Sequence, residues 1–200
     1  KADDGPSAEA VVMAHIDEMT PEAATEWRQK VAWIYYVAGD DTNARRMAAQ
    51  GQAGTGDWAA QSDWIQGLAS WRQSDCESAG AAFEAVANRA SNVELRSAGL
   101  YWAHRADIAC GHPERAAGHL NAAAQYGETF YGLLARQALG VDEQSPRAGE
   151  TVIAEDWRKL ERHRNVRVAA ALVEIGETTL ADEVLKQQAR FSTPDEHAAL

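Results

Sequence analysis

Four short turns share one layout, and that layout narrows what the chain can become. Gly39-Asp-Asp-Thr-Asn-Ala44, Ser74-Asp-Cys-Glu-Ser-Ala79, Gly111-His-Pro-Glu-Arg-Ala116 and Gly176-Glu-Thr-Thr-Leu-Ala181 each set a small residue at a helix end. Polar residues then turn the chain, and an alanine arrives five positions on. Four residues further come Ala48, Phe83, Leu120 and Leu185. The turns are 35, 37 and 65 residues apart, the last gap leaving room for an extra helical segment. A period in the mid-thirties is that of tetratricopeptide-like helix hairpins. Small residues let the two helices of a hairpin cross closely, and the larger ones fill the groove between them.

Composition supports the same reading. There are 41 Ala and only five Pro in 200 residues, with seven Trp spread over that small-residue background. Alanine has the best helix propensity, and large aromatic anchors among small residues suit helical repeats. No segment alternates as a strand does. The pattern therefore predicts an all-α, right-handed superhelical solenoid of tetratricopeptide-like antiparallel helix pairs, one domain over residues 1–200. A helix pair this short cannot hide its apolar face alone, so each must lean on its neighbour in the chain.

Residues 1–6 read as a flexible lead-in, with Ser7 capping a helix from Ala8 to about Met19. Thr20-Pro21 starts the next helix as N-cap and first helical residue, and Trp27, Val31, Ile34 and Tyr35 form its apolar stripe up to Gly39. A short helix, Thr42 to Gln50, is followed by a loop at Gly51, Gly54 and Gly56. The best-defined repeats span 57–140. Their expected inner faces are Trp58, Trp64, Ile65, Leu68 and Trp71; then Ala79, Ala82, Phe83, Val86 and Ala90; then Leu95, Ala98, Trp102, Ala106 and Ala109. A fourth face is Ala116, Leu120, Ala123 and Ala124. Thr129 to Leu139 is a further helix. Residues 141–151 read as a loop and 152–192 as further helices, limited by Pro194.

Thirty acidic against 19 basic residues give a formal charge of −11. Such a chain repels phosphate backbones, so nucleic acid is not an expected partner. No apolar run approaches the roughly 20 residues that span a bilayer, and no secretory segment stands at the start, so any signal peptide is expected to have been removed or to lie outside this sequence.

Two stretches carry a resemblance. Tyr101-Trp102-Ala103-His104-Arg105-Ala106 with the Gly111 turn, and Thr129-Phe130-Tyr131-Gly132-Leu133-Leu134-Ala135 with Leu139-Gly140, are similar to the superhelical region of soluble lytic murein transglycosylases. The likeness is best over 57–140. It implies a periplasmic array of helices that positions peptidoglycan glycan strands or partners for an attached lysozyme-like catalytic domain. In that family the catalytic Glu opens a Glu-Ser motif followed by an aromatic residue and Gly-Leu-Met-Gln. Glu77-Ser78 has neither and lies in a repeat turn, so no catalytic residue is assigned, and the chain is expected to stop before the catalytic domain. The alternative is a free-standing tetratricopeptide-type adaptor for protein partners.

Other chemistry is weakly signalled. Six His include His104, His112 and His119, but Pro113 places His112 ahead of a helix, and the spacing is not that of metal ligands; no metal or cofactor is expected. Gly51 to Gly56 lacks the Gly-Lys-Ser/Thr ending of a phosphate loop. Phe130, Tyr131 and Trp102 at helical spacing read as core, with Gly132 allowing close helix packing. Cys76 and Cys110 flank consecutive turns, which stacked repeats usually hold too far apart to bridge, and free thiols are expected. If the helix faces are assigned correctly, truncating Trp64 or Trp102 to Ala costs about 3–5 kcal/mol in chemical denaturation. A loss below about 1 kcal/mol at both positions would show the faces to be wrong.

Overall fold

A computed structural model describes residues 4–141, 154–197 and 199–200. Among these the only regular elements are helices. The first is α1, Gly5–His15, followed by one turn of 3₁₀ helix, Ile16–Glu18. Next come α2 (Pro21–Val37), α3 (Asp41–Gln52), α4 (Gly56–Arg72) and α5 (Cys76–Arg89). The middle of the chain holds α6 (Val93–Cys110), α7 (Pro113–Ala124) and α8 (Phe130–Ala138). The last are α9 (Ala154–Leu160), α10 (Arg164–Glu174), α11 (Thr178–Ala189) and α12 (Pro194–His197). The loop read at 141–151 falls, apart from Val141, outside the described residues.

The four repeated turns share one backbone geometry. Gly39, Ser74, Gly111 and Gly176 all have left-handed backbones, with φ of 86°, 62°, 78° and 84°. At each, the next residue's N–H reaches back to a carbonyl of the last helical turn: Asp40 to Tyr35, Asp75 to Ser70, His112 to Asp107 and Glu177 to Leu172. That bond pattern is the Schellman motif, which satisfies carbonyls the helix leaves unpaired. The Asp40 and Asp75 side chains then accept the N–H of Asn43 and Ser78 and open the following helix. The alanines five residues on, Ala44, Ala79, Ala116 and Ala181, are all buried.

Each described helix from α2 to α8 packs on the next in sequence; α2 also packs on α4, α6 on α8, and α10 on α11. The apolar groups bury themselves in local clusters drawn from consecutive helices. One gathers Val12, Val31, Tyr35, Met47 and Ile65 from α1 to α4. Another gathers Ala79, Phe83, Ala103 and Ala106, and a third joins Leu120, Ala123 and Ala135. Small residues set the spacing. A Cβ on Gly51 would collide with Ser62, one on Gly67 with the Phe83 ring, and one on Gly99 with backbone of α5.

Several expectations need correction. The first helix starts at Gly5, inside the expected lead-in, because Asp4 rather than Ser7 caps it. Gly5 lies against the Tyr35 ring, whose hydroxyl donates to Glu9 at 2.7 Å. Burial and that bond push the Tyr35 hydroxyl up to about 12. Gly51 is a buried helical residue of α3 rather than loop. Ala109 is exposed, its core place on α6 taken by Ala103. Trp64 and Trp102 are only partly buried and pack at the margin of the core. Pro194 opens α12, where Thr193 and Glu196 form a reciprocal capping box.

The cysteines are a larger correction: Cys76 and Cys110 form a disulfide, with Cα atoms 5.7 Å apart. Their turns are indeed separate, but α5 and α6 run antiparallel. The first residue of α5 therefore lies beside the last residue of α6. In the loop-entropy model a bridge across 34 residues stabilises by about 3–4 kcal/mol. Replacing both cysteines with Ser should lower the urea-denaturation stability by that amount, and the untreated chain should weigh two hydrogen atoms less than the reduced one. Equal masses would show that the bridge does not form.

Candidate functional site

The small residues of α4 face its neighbours: Ala59, Ala60, Ser62, Asp63, Gly67 and Ser70 are buried. Its bulkier side, carrying Trp64 and Trp71, therefore turns toward α6, where Trp102 meets both rings edge-on at 6.4 and 5.7 Å. On α6, Tyr101 in turn lies 5.5 Å from Tyr131 of α8. The result is a run of aromatic rings across three helices.

Beside this run opens a groove of about 690 Å³. Trp33 and Gln29 of α2 form one wall, and Asp57, Gln61, Trp64 and Ile65 of α4 form the floor. Glu94, Leu95 and Ala98 of α6 and Tyr131 of α8 form the far side. Phe191, from the turn after α11, also lines the groove; that turn is tied down by the Val93 N–H donating to the Arg190 carbonyl at 2.8 Å. Trp33 is 45 % and Phe191 50 % exposed, so both offer ring faces to a ligand.

The polar groups divide into two kinds. Asp57 is committed, accepting the Ser91 N–H at 2.9 Å and its hydroxyl at 2.5 Å. Gln29 and Gln61 make no side-chain hydrogen bond among the described residues. Ring faces with free amides beside them suit a ligand that is apolar on its faces and rich in hydroxyls at its edges.

Phe130 is not core: it is 63 % exposed. Thr129 caps α8 through its hydroxyl, which accepts the Gly132 N–H at 3.0 Å, and the first helical residue is left pointing outward. Gly132 is required by this local turn, since a Cβ there would strike the Tyr126 carbonyl. Trp102 and Tyr131 are half-buried and belong to the aromatic run. Glu77 is exposed in the first turn of α5, accepts from His112 Nε2 at 2.8 Å and does not line the groove.

The histidines occupy structural positions. His104 Nδ1 donates to the Ala116 carbonyl at 2.9 Å. His119 meets Asp107 through Nδ1 at 2.7 Å and Glu84 through Nε2 at 3.4 Å. These three groups lie close enough to suggest a cation site. However, the two carboxylates face opposite ring nitrogens, and Arg115 pairs with both, at 2.8 Å from Glu84 and 3.3 Å from Asp107. Arg115 thus occupies both carboxylates, and the set joins α5, α6 and α7 as an ion network. Both histidine contacts on α7 reach back 12 residues across the Gly111 turn, a spacing that identifies such pairs once the hairpin is known.

No known family model, curated protein or solved structure matches this chain. No helix among the described residues is long and apolar enough to cross a membrane.

Two carboxyl groups among the described residues are strongly shifted. Burial pushes Glu196 up, but the Thr193 N–H, Arg162 and His163 outweigh it and hold it at about 2. Asp63 is 2 % exposed, its Oδ2 lacks a hydrogen bond, and Arg89 stands 3.4 Å away. Burial pushes Asp63 up to about 6 against the attraction of Arg89. The folded chain thus retains a proton that the unfolded chain releases near pH 4. The stabilisation is complete below about pH 4 and is lost as pH rises through about 6. Asp63→Asn should therefore exceed the parent in stability by roughly 1–3 kcal/mol near pH 7, with the gap closing near pH 4. Urea titrations at the two pH values measure it; a gap independent of pH would refute the assignment.

Proposed function

We propose that this chain is a non-catalytic superhelical scaffold of a periplasmic lytic transglycosylase, a right-handed solenoid that holds peptidoglycan glycan strands, or partners, for an attached catalytic domain. The observation that carries this reading is the groove across α2, α4, α6 and α8. Its exposed Trp33 and Phe191 rings and its unbonded Gln29 and Gln61 amides are suited to sugar rings. The resemblance at residues 101–106 and 129–140 supplies the family, and the packing of helices in chain order supports the repeat architecture. The Cys76–Cys110 bridge suits an oxidising compartment such as the periplasm.

The chain's part in this reading is positional. Aromatic faces hold pyranose rings by burying their C–H surfaces, and the amides select the orientation of the hydroxyls. No side chain of the groove pairs a free acid with a free base in the way that glycosidic cleavage requires.

The test is co-sedimentation with purified sacculi. The parent chain should pellet and release no anhydro-sugar. Trp33→Ala with Phe191→Ala should weaken retention by about thirtyfold, each ring contributing on the order of 1 kcal/mol. A chain that stays in the supernatant overturns the glycan reading in favour of a protein-binding adaptor, and release of anhydro-sugar overturns the non-catalytic one.

A further inference from the structure

We propose that a second cavity, distinct from the groove, binds a carboxylate carried beside a ring. It lies along the C-terminal half of α6, measures about 570 Å³ and is lined by Trp71, Tyr101, His104, Arg105, Ile108 and Ala109. In a chain of charge −11 its lining holds a cation and no carboxylate.

Among the described residues Arg105 is held by ring contacts alone. Its guanidinium carbon lies 4.8 Å from the Trp102 ring centre and 5.5 Å from that of Trp71. Among the described residues it makes no ion pair and no hydrogen bond. By contrast Arg45, Arg46, Arg72, Arg89 and Arg115 each pair with a carboxylate. Contact with aromatic rings occupies the faces of a guanidinium but leaves its edge of N–H donors free. That edge matches the two oxygens of a carboxylate, and an ion pair formed against two indoles is less screened than one in open water. The Tyr101 hydroxyl is likewise unbonded among the described residues, and Ile108 and Trp71 supply the apolar wall for the rest of the ligand.

Two sources share this chemistry, a free aromatic acid and an acidic sugar. The site does not depend on the glycan reading of the groove, because none of its lining residues lines that groove. The experiment is a titration followed by the arginine Nε–H and tryptophan indole N–H resonances, with benzoate and glucuronate as probes and benzamide and glucose as neutral counterparts. Saturable shifts at Arg105 and Trp102 with either acid, absent with its neutral counterpart, are expected. Benzoate alone identifies an aromatic acid and glucuronate a sugar acid. Arg105→Gln, at an exposed position that leaves the fold intact by circular dichroism, should weaken binding roughly tenfold or more. Arg105→Lys, which keeps the charge without the fork, should fall between the two. The proposal is overturned if neither acid shifts these signals, if the neutral counterparts shift them equally, or if Arg105→Gln binds like the parent.

Discussion

The close approach of α4, α5 and α6 around Phe83 is the contact on which the middle of the molecule rests. Among the described residues Phe83 is the largest fully buried side chain, and its ring sits where a Cβ on Gly67 would be. Its own carbonyl occupies the space a Cβ on Gly99 would need. Interiors pack at crystal density, so a ring inserted between three helices requires small residues on both of its neighbours. The alanines and glycines are thus the condition for stacking short helices at all. The helices then lie near enough for Cys76 to meet Cys110 and for Arg115 to reach Glu84 and Asp107.

Close packing on one side of a helix displaces bulk to the other. On α4 the small residues are spent against its neighbours, and Trp64 and Trp71 collect on the face toward α6. Trp102 and Tyr101 extend that face toward Tyr131. The aromatic run and the two cavities beside it follow from the same constraint that holds the core together. Their polarity differs: the groove toward the start of α4 carries Asp57 and Glu94, whereas the cavity toward its end carries Arg105.

Much of the architecture was legible in the amino-acid order. The repeated turns, the capping by Thr20, and the alanine five residues past each turn all arise from local physics. A left-handed residue must end the helix, a polar side chain or turn must start the next, and a small residue must face the crossing. What local order misled about was contact between distant segments. The face of α6 was rightly placed on Ala98 and Ala106, but it included the exposed Ala109 and left out the buried Ala103, because an alanine-rich helix offers several stripes of similar hydrophobicity. The outward turn of Phe130 was hidden for a related reason, since helical spacing does not say which side a neighbour will cover.

The sequence by itself determined that the chain is helical, where most helices begin and end, and that neighbours in the chain are neighbours in space. These follow from backbone propensity and from short-range bonds. The antiparallel pairing that brings the ends of α5 and α6 together to form the disulfide was decided only by the tertiary structure. So were the placing of His119 between two carboxylates and the holding of Arg105 over two indoles. Each depends on a separation of a few ångströms between residues far apart in the chain, and only the packing of whole helices sets such distances.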